Sequence, residues 1–160
     1  MRPLDQELAN ARSVLFLCSG NIIRSAFCEL FARHLDIGLE VRSAGTRYFN
    51  DELWHDTRRA LTSRGVTEAQ LARFCPTHLS RINEIPKHEL VFGMTSDHLV
   101  ELESHTNGAR HGYLLGELIG SGEIADPMFA GGFEQTFAVL DECVRRLVQH
   151  VAERPPGAES

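Results

Sequence analysis

The chain has 160 residues, a length that suits one domain with a real core, and an ordinary globular composition of 42% hydrophobic and 24% charged residues. Its net charge of −6 argues against a general nucleic-acid binder, which needs a basic surface, but leaves room for one locally positive site that holds a single phosphoryl group. No stretch approaches the ~18 apolar residues of a membrane span, the N-terminal MRPLDQELANAR lacks the apolar core of a signal peptide, and Cys18, Cys28, Cys75 and Cys143 have neither zinc nor disulfide spacing, so the expectation is a cytoplasmic protein with reduced thiols, no metal and no cofactor.

Residues 1–12 read as a polar, peripheral extension with at most a short helix. Ser13-Val14-Leu15-Phe16-Leu17 is an uninterrupted apolar run, the pattern of a parallel strand buried on both faces. It runs into Cys18-Ser19-Gly20-Asn21, a turn composition. A helix is predicted from Ser25 to Leu35, with Ala26, Leu30, Phe31, His34 and Leu35 at three- and four-residue steps. Leu39–Arg42 reads as a second strand. Asp56 is placed to cap a helix that ends before Gly65, and a short helix over Glu68–Phe74 stops before Pro76. Glu89–Met94 is a third strand, Ser96–Ser104 a helix and His111–Leu115 a weak fourth strand. From Gly131 to Ala152 a long amphipathic helix aligns Phe133, Phe137, Leu140, Val144, Leu147 and Val151. Residues 13–152 thus form one domain and 153–160 a flexible tail. Strands alternating with helices predict an α/β fold, a single-domain doubly wound sheet of four parallel strands flanked by helices. Ligands bind such sheets at the carboxyl ends of strands, where the first strand delivers Cys18.

The segment Cys18-Ser19-Gly20-Asn21-Ile22-Ile23-Arg24-Ser25 joins a strand to a helix N-terminus. Free backbone amides and the helix dipole favour an anion there, and amides curled in one direction make a nest for oxyanions. Gly20 is expected to adopt a backbone conformation closed to other residues. Arg24 supplies a planar donor suited to phosphate. Cys18, in the same field, is a nucleophile aimed at phosphorus. Cys75-Pro76-Thr77-His78-Leu79-Ser80-Arg81 repeats the spacing. It follows no buried strand, contains no glycine, and loses an amide at Pro76, so Cys75 reads as a structural thiol.

The run Val14 to Ser25 resembles the signature of the low-molecular-weight protein tyrosine phosphatases, and so do Ser43-Ala44-Gly45-Thr46, Asp56-Thr57-Arg58 and Asp126-Pro127 followed by Gly131, Gly132, Phe133 and Glu134. The resemblance spans Ser13 to Val151. It implies a flavodoxin-like, phosphotyrosine phosphatase I-like fold and hydrolysis of phosphotyrosine through a cysteinyl-phosphate. Cys18 would be the nucleophile, and Ser19, Gly20, Asn21, Ile22, Ile23, Arg24 and Ser25 the phosphate loop, with Arg24 as clamp. Asp126 would be the general acid and then the base that activates water. Asn21, Ser25, Ser43 and His78 would form a polar network supporting the loop, although each alone reads as a cap or turn residue. Ile22, Phe49, Met128 and Phe129 would wall the substrate pocket. The implied partner is a protein carrying phosphotyrosine, with a tyrosine kinase of polysaccharide export among the candidates and a monomer as the default.

Two departures matter. Ile23 stands where many members carry a second cysteine, so the disulfide that shields the nucleophile from oxidation cannot form there. Met128 and Phe129 stand where many carry two tyrosines. Three alternatives remain beside the phosphotyrosine reading. A phosphoarginine phosphatase of the same fold would prefer a small polar residue at Ile22. An arsenate reductase would need two further neighbouring cysteines. A non-catalytic phosphate-binding module could dispense with Cys18 or Asp126, which this chain keeps.

Overall fold

The computed structural model describes residues 2–155. In chain order the elements are α1 (Pro3–Asn10), β1 (Ser13–Cys18), α2 (Arg24–His34), β2 (Glu40–Gly45), α3 (His55–Thr62), α4 (Glu68–Ala72), β3 (Glu89–Gly93), α5 (Ser96–His105), β4 (Tyr113–Leu114), α6 (Pro127–Ala130) and α7 (Phe133–Ala152). Short 3₁₀ turns occupy Leu79–Arg81 and Leu115–Ile119. The four strands are parallel in the order β2-β1-β3-β4, so the chain reverses direction across the sheet at β1. That reversal opens a crevice at the carboxyl end of β1, next to Cys18.

The apolar run at β1 is central because it must be covered twice. Val14, Phe16 and Cys18 join the larger core cluster, with Phe27 and Phe31 of α2 and Phe137, Leu140 and Val144 of α7. Leu15 and Leu17 join a smaller cluster with Ala44, Leu79, Val91 and Leu102 on the opposite face. Val14 to Leu17 are fully buried. Each such side chain contributes roughly 1.5–3 kcal/mol of apolar transfer, so the strand that carries the site is also among the best anchored.

Several boundaries differ from expectation for local reasons. The last helix starts at Phe133, not Gly131, because Gly131 and Gly132 both have positive φ, 78° and 73°. The third helix starts at His55, and Asp56, inside its first turn, pairs with Arg59 instead of capping the backbone. The fourth strand is only two residues long. Helix α6 was hidden by its brevity. The first dozen residues are not peripheral: Leu4, Leu8 and Ala11 are buried in the core, and Tyr113 donates to the Glu7 carboxylate. Arg154 donates to the carbonyl of Ala11 at 2.6 Å, holding the chain against α1 two residues past the end of α7. The rest of the expected tail, 156–160, lies outside the described residues.

No helix among the described residues is long and apolar enough to cross a membrane.

Candidate active site

Cys18 ends β1, paired in register with Gly45 at the end of β2, and is 2% exposed. The loop that follows is held by its carbonyls. Cys18 O accepts from the Thr46 amide at 2.8 Å, and Ser19 O from the amides of Arg47 and Tyr48 at 3.0 and 3.1 Å. Gly20 O accepts from Asn50 Nδ2 at 2.9 Å. Ile22 O accepts from the Trp54 amide at 3.2 Å and Thr57 Oγ1 at 2.8 Å, and Ile23 O from the Phe27 amide at 2.9 Å. In a trans peptide each carbonyl opposes the amide that follows it. Carbonyls tied outward therefore turn the loop amides inward, and Asn21 shows the outcome: its N–H donates to Cys18 Sγ at 3.3 Å. Amides so turned at the N-terminus of α2 could receive an oxyanion.

The strained position is Asn21, at φ 58°, and not Gly20 as expected. Asparagine tolerates this region, and its side chain is fully engaged. Nδ2 donates to Ser25 Oγ and to Ser43 Oγ, both at 2.8 Å, and Oδ1 accepts from the Thr77 amide at 2.8 Å. At 20 the constraint is milder: a Cβ there would stand 3.0 Å from Asn50 Nδ2, a tight approach to the tip of a side chain that can shift. Gly45 is more constrained still, since its Cβ would meet Ser19 O at 2.9 Å.

These bonds give the network a direction. Ser43 Oγ donates to Glu29 Oε1 at 2.6 Å, and Glu29 also pairs with Arg33 at 2.7 Å. Burial raises the Glu29 carboxyl above its ordinary value, against the opposing pull of Ser43 and Arg33. With Asn21 donating to both serines, the Ser25 hydroxyl proton is left for Cys18 Sγ, 2.9 Å away. Sulfur thus faces two donors, and both stabilise negative charge on it.

Arg24 is 3% exposed. Nη1 donates to Ile124 O at 2.8 Å, which fixes the guanidinium, while Nη2 lies 3.5 Å from both Asp126 Oδ2 and Ser19 Oγ. The loosely held Nη2 is the group an incoming anion would take. Asp126 caps α6, its Oδ1 accepting from the Met128 amide at 2.9 Å. A cleft of about 500 Å³ brings Cys18, Arg24 and Asp126 together with Ile22, Phe49, Met128 and Phe129. Tyr48, absent from the expected set, also lines it and is 53% exposed.

His78 is the expected residue that the structure does not bring to the loop. Its Nδ1 accepts from the Ser80 amide at 3.1 Å, which commits the ring to the adjoining 3₁₀ turn. The ring stacks on Phe49, with centroids 4.0 Å apart. The support comes instead from the backbone beside it: Thr77 N–H binds Asn21, and Thr77 O accepts from Gly45 N–H at 2.7 Å. Sequence reading also missed Glu29, Gly45, Asn50, Thr57 and Thr77 as loop supports. Among the described residues, no cluster of three or more His, Cys, Asp or Glu side chains is arranged to hold a metal ion.

The remaining thiols differ in kind. Burial pushes the Cys28 thiol well above its ordinary value and that of Cys143 up to about 12. Both stay protonated and unreactive. Cys75 is exposed.

Residues 13–156 match the family model described as low molecular weight phosphotyrosine protein phosphatase. No curated protein sequence matches the chain. Among solved structures, the chain is similar to YfkJ from Bacillus subtilis, with TM-score 0.76 and 19% identity over 89% of this chain and 96% of that one. It is similar to the tyrosine phosphatase Wzb from Escherichia coli, solved with sulphate, with TM-score 0.70 and 23% identity over 87% and 97% of the two chains. The YwlE arginine phosphatase from Geobacillus stearothermophilus gives TM-score 0.66 and 25% identity over 89% and 91%.

Proposed function

The chain belongs to the low molecular weight phosphotyrosine protein phosphatase family, and from that premise we propose that it hydrolyses phosphotyrosine in protein substrates, with Cys18 as nucleophile. The Cys18 thiolate attacks phosphorus, a sulfur–phosphorus bond forms, and the bond to the tyrosyl oxygen breaks. Protonated Asp126 gives its proton to the departing phenolate. The Asp126 carboxylate then takes a proton from water, which attacks the cysteinyl-phosphate and releases inorganic phosphate and the thiolate. Throughout, the loop amides and Arg24 hold the equatorial oxygens, where charge accumulates.

The observation that carries this reading is the sulfur itself. At the floor of a cleft, Cys18 Sγ faces the Ser25 hydroxyl at 2.9 Å and the Asn21 amide at 3.3 Å, beside an arginine and a carboxylate from a distant loop. A phenyl group is favoured over a guanidinium because the wall at Ile22 is apolar and the rim carries the exposed aromatic rings of Tyr48, Phe49 and Phe129.

Comparison of phosphotyrosine and phosphoarginine peptides tests the substrate class. At least tenfold higher kcat/KM on phosphotyrosine is expected, and equal or reversed preference would favour an arginine phosphatase. Asp126→Asn tests the acid. It should lower kcat by about 10²–10³-fold on phosphotyrosine, and much less on a phosphate ester whose leaving group needs no proton. An equal loss on both would remove Asp126 from proton transfer.

A further inference from the structure

One buried ionisable side chain has no part in the chemistry above. His98, in the first turn of α5, is 2% exposed. Its ring has a determined tautomer. Nδ1 lies 3.2 Å from the Met94 amide and 3.1 Å from the Thr95 amide, so it accepts and the proton resides on Nε2. Nε2 stands 3.1 Å from Ser19 Oγ and therefore donates to it. Burial first, then the charges of Arg24 and Arg47, bring the His98 pKa down to about 3. The neutral ring with its proton on Nε2 is thereby favoured at neutral pH, and it donates to Ser19.

Ser19 follows the nucleophile and supplies the first amide of the nest. Its carbonyl is fixed by the amides of Arg47 and Tyr48. Its hydroxyl accepts from His98 on one side and has Arg24 Nη2 at 3.5 Å on the other. Two clamps thus act on one residue, and only the hydroxyl clamp reaches the arginine. Ser19, Arg24 and His98 also line a side cleft of about 290 Å³ that shares Asp126 with the main one, so the contact lies at the edge of the anion site.

We propose that His98 is a positioning residue: acting through Ser19 Oγ, it holds the Ser19 side chain against the loosely held Nη2 edge of the Arg24 guanidinium and so keeps the start of the loop and that edge placed to receive the phosphoryl oxygens. The inference rests on the phosphatase reading for the identity of the anion. The rival account is that His98 only caps the backbone at Met94 and Thr95, which would affect stability and nothing else.

The test is calorimetric binding of inorganic phosphate, with thermal melts and turnover of para-nitrophenyl phosphate measured in parallel. His98→Leu removes both donor and acceptor and should weaken phosphate about tenfold in protein that still melts cooperatively. His98→Gln offers a carbonyl to the amides and an N–H to Ser19, and should restore binding to within about threefold. Ser19→Ala should lose affinity by a similar factor, and the double variant should be no worse than the weaker single, because one path is broken twice. Wild-type affinity in His98→Leu, or in Ser19→Ala should His98→Leu fail to fold, overturns the proposal. So do losses that multiply in the double variant. Wild type that binds phosphate yet does not turn over the ester would sink the phosphatase reading instead, and the ratios of phosphate affinity would still decide the role of His98.

Discussion

The chain contains the same spacing twice, Cys18 to Arg24 and Cys75 to Arg81, and the two segments fold in opposite ways. Cys18 is buried at the end of the central strand, and the carbonyls after it are tied outward by Thr46, Arg47, Tyr48, Asn50, Trp54 and Thr57. Arg24 opens an 11-residue helix and lies 3.5 Å from Asp126. Cys75 is exposed, and its thiol donates to the carbonyl of Pro76 at 3.7 Å. Arg81 closes a three-residue 3₁₀ turn and lies over the Phe49 ring, 5.9 Å from its centroid. A cysteine and an arginine six apart are therefore no site in themselves. The site is made by what holds the carbonyls between them, and those partners come from the loop after β2 and from α3.

The largest effect should separate the two cysteines. Cys18→Ser should reduce turnover of para-nitrophenyl phosphate by on the order of 10⁴-fold or more, since the nucleophile is lost. Cys75→Ser should leave it within twofold. The arginines come next. Arg24→Ala should cost about 10²–10³-fold in kcat/KM, the scale of a lost transition-state donor, and it also strands the Ile124 carbonyl. Arg81→Ala should change it by less than threefold on the same small ester, because its guanidinium lies over Phe49 and does not line the cleft that holds Cys18. Comparable losses for both arginines would end the distinction between the two segments.

Strand β1, helix α2 and the loop between them were legible in the sequence because their determinants are local: an apolar run, turn residues and a helical period. The girdle was not. Glu29 lies on α2 between Cys28 and Leu30, where a carboxylate reads as part of a wet helix face. Only the arrival of Ser43 from β2 shows it to be buried and bonded. Thr77 binds through its amide and carbonyl, which no side-chain pattern can reveal, so the expectation fell on its neighbour His78. Gly45 illustrates the same limit, since it reads as an ordinary turn glycine at a strand end. Gly45→Ala should force a Cβ against Ser19 O at 2.9 Å. The expected result is about 1–3 kcal/mol of destabilisation by overpacking and roughly tenfold lower kcat/KM as the nest is displaced. An alanine at 45 with unchanged activity and melting temperature would show that the girdle has slack.

The last contrast, with no expected effect on turnover at neutral pH, is between the two histidines that stand beside the two segments. His98 touches Ser19 of the working loop, while His78 belongs to the Cys75 segment and is only partly buried. His98 is held down from 6.5 to about 3 in the folded protein, so the unfolded chain takes up a proton first as pH falls. The stability that goes with its neutral ring is fully present above pH 6.5 and is lost progressively from there toward pH 3, by up to about 1.4 kcal/mol per pH unit. Urea denaturation of wild type and His98→Gln across pH 4–7 should show this as a difference in slope, with the variant flatter because glutamine does not titrate. If His98→Gln follows the wild-type slope, the imidazole is not kept neutral by its surroundings, and Nδ1 is not the acceptor for the Met94 and Thr95 amides that fixes the tautomer.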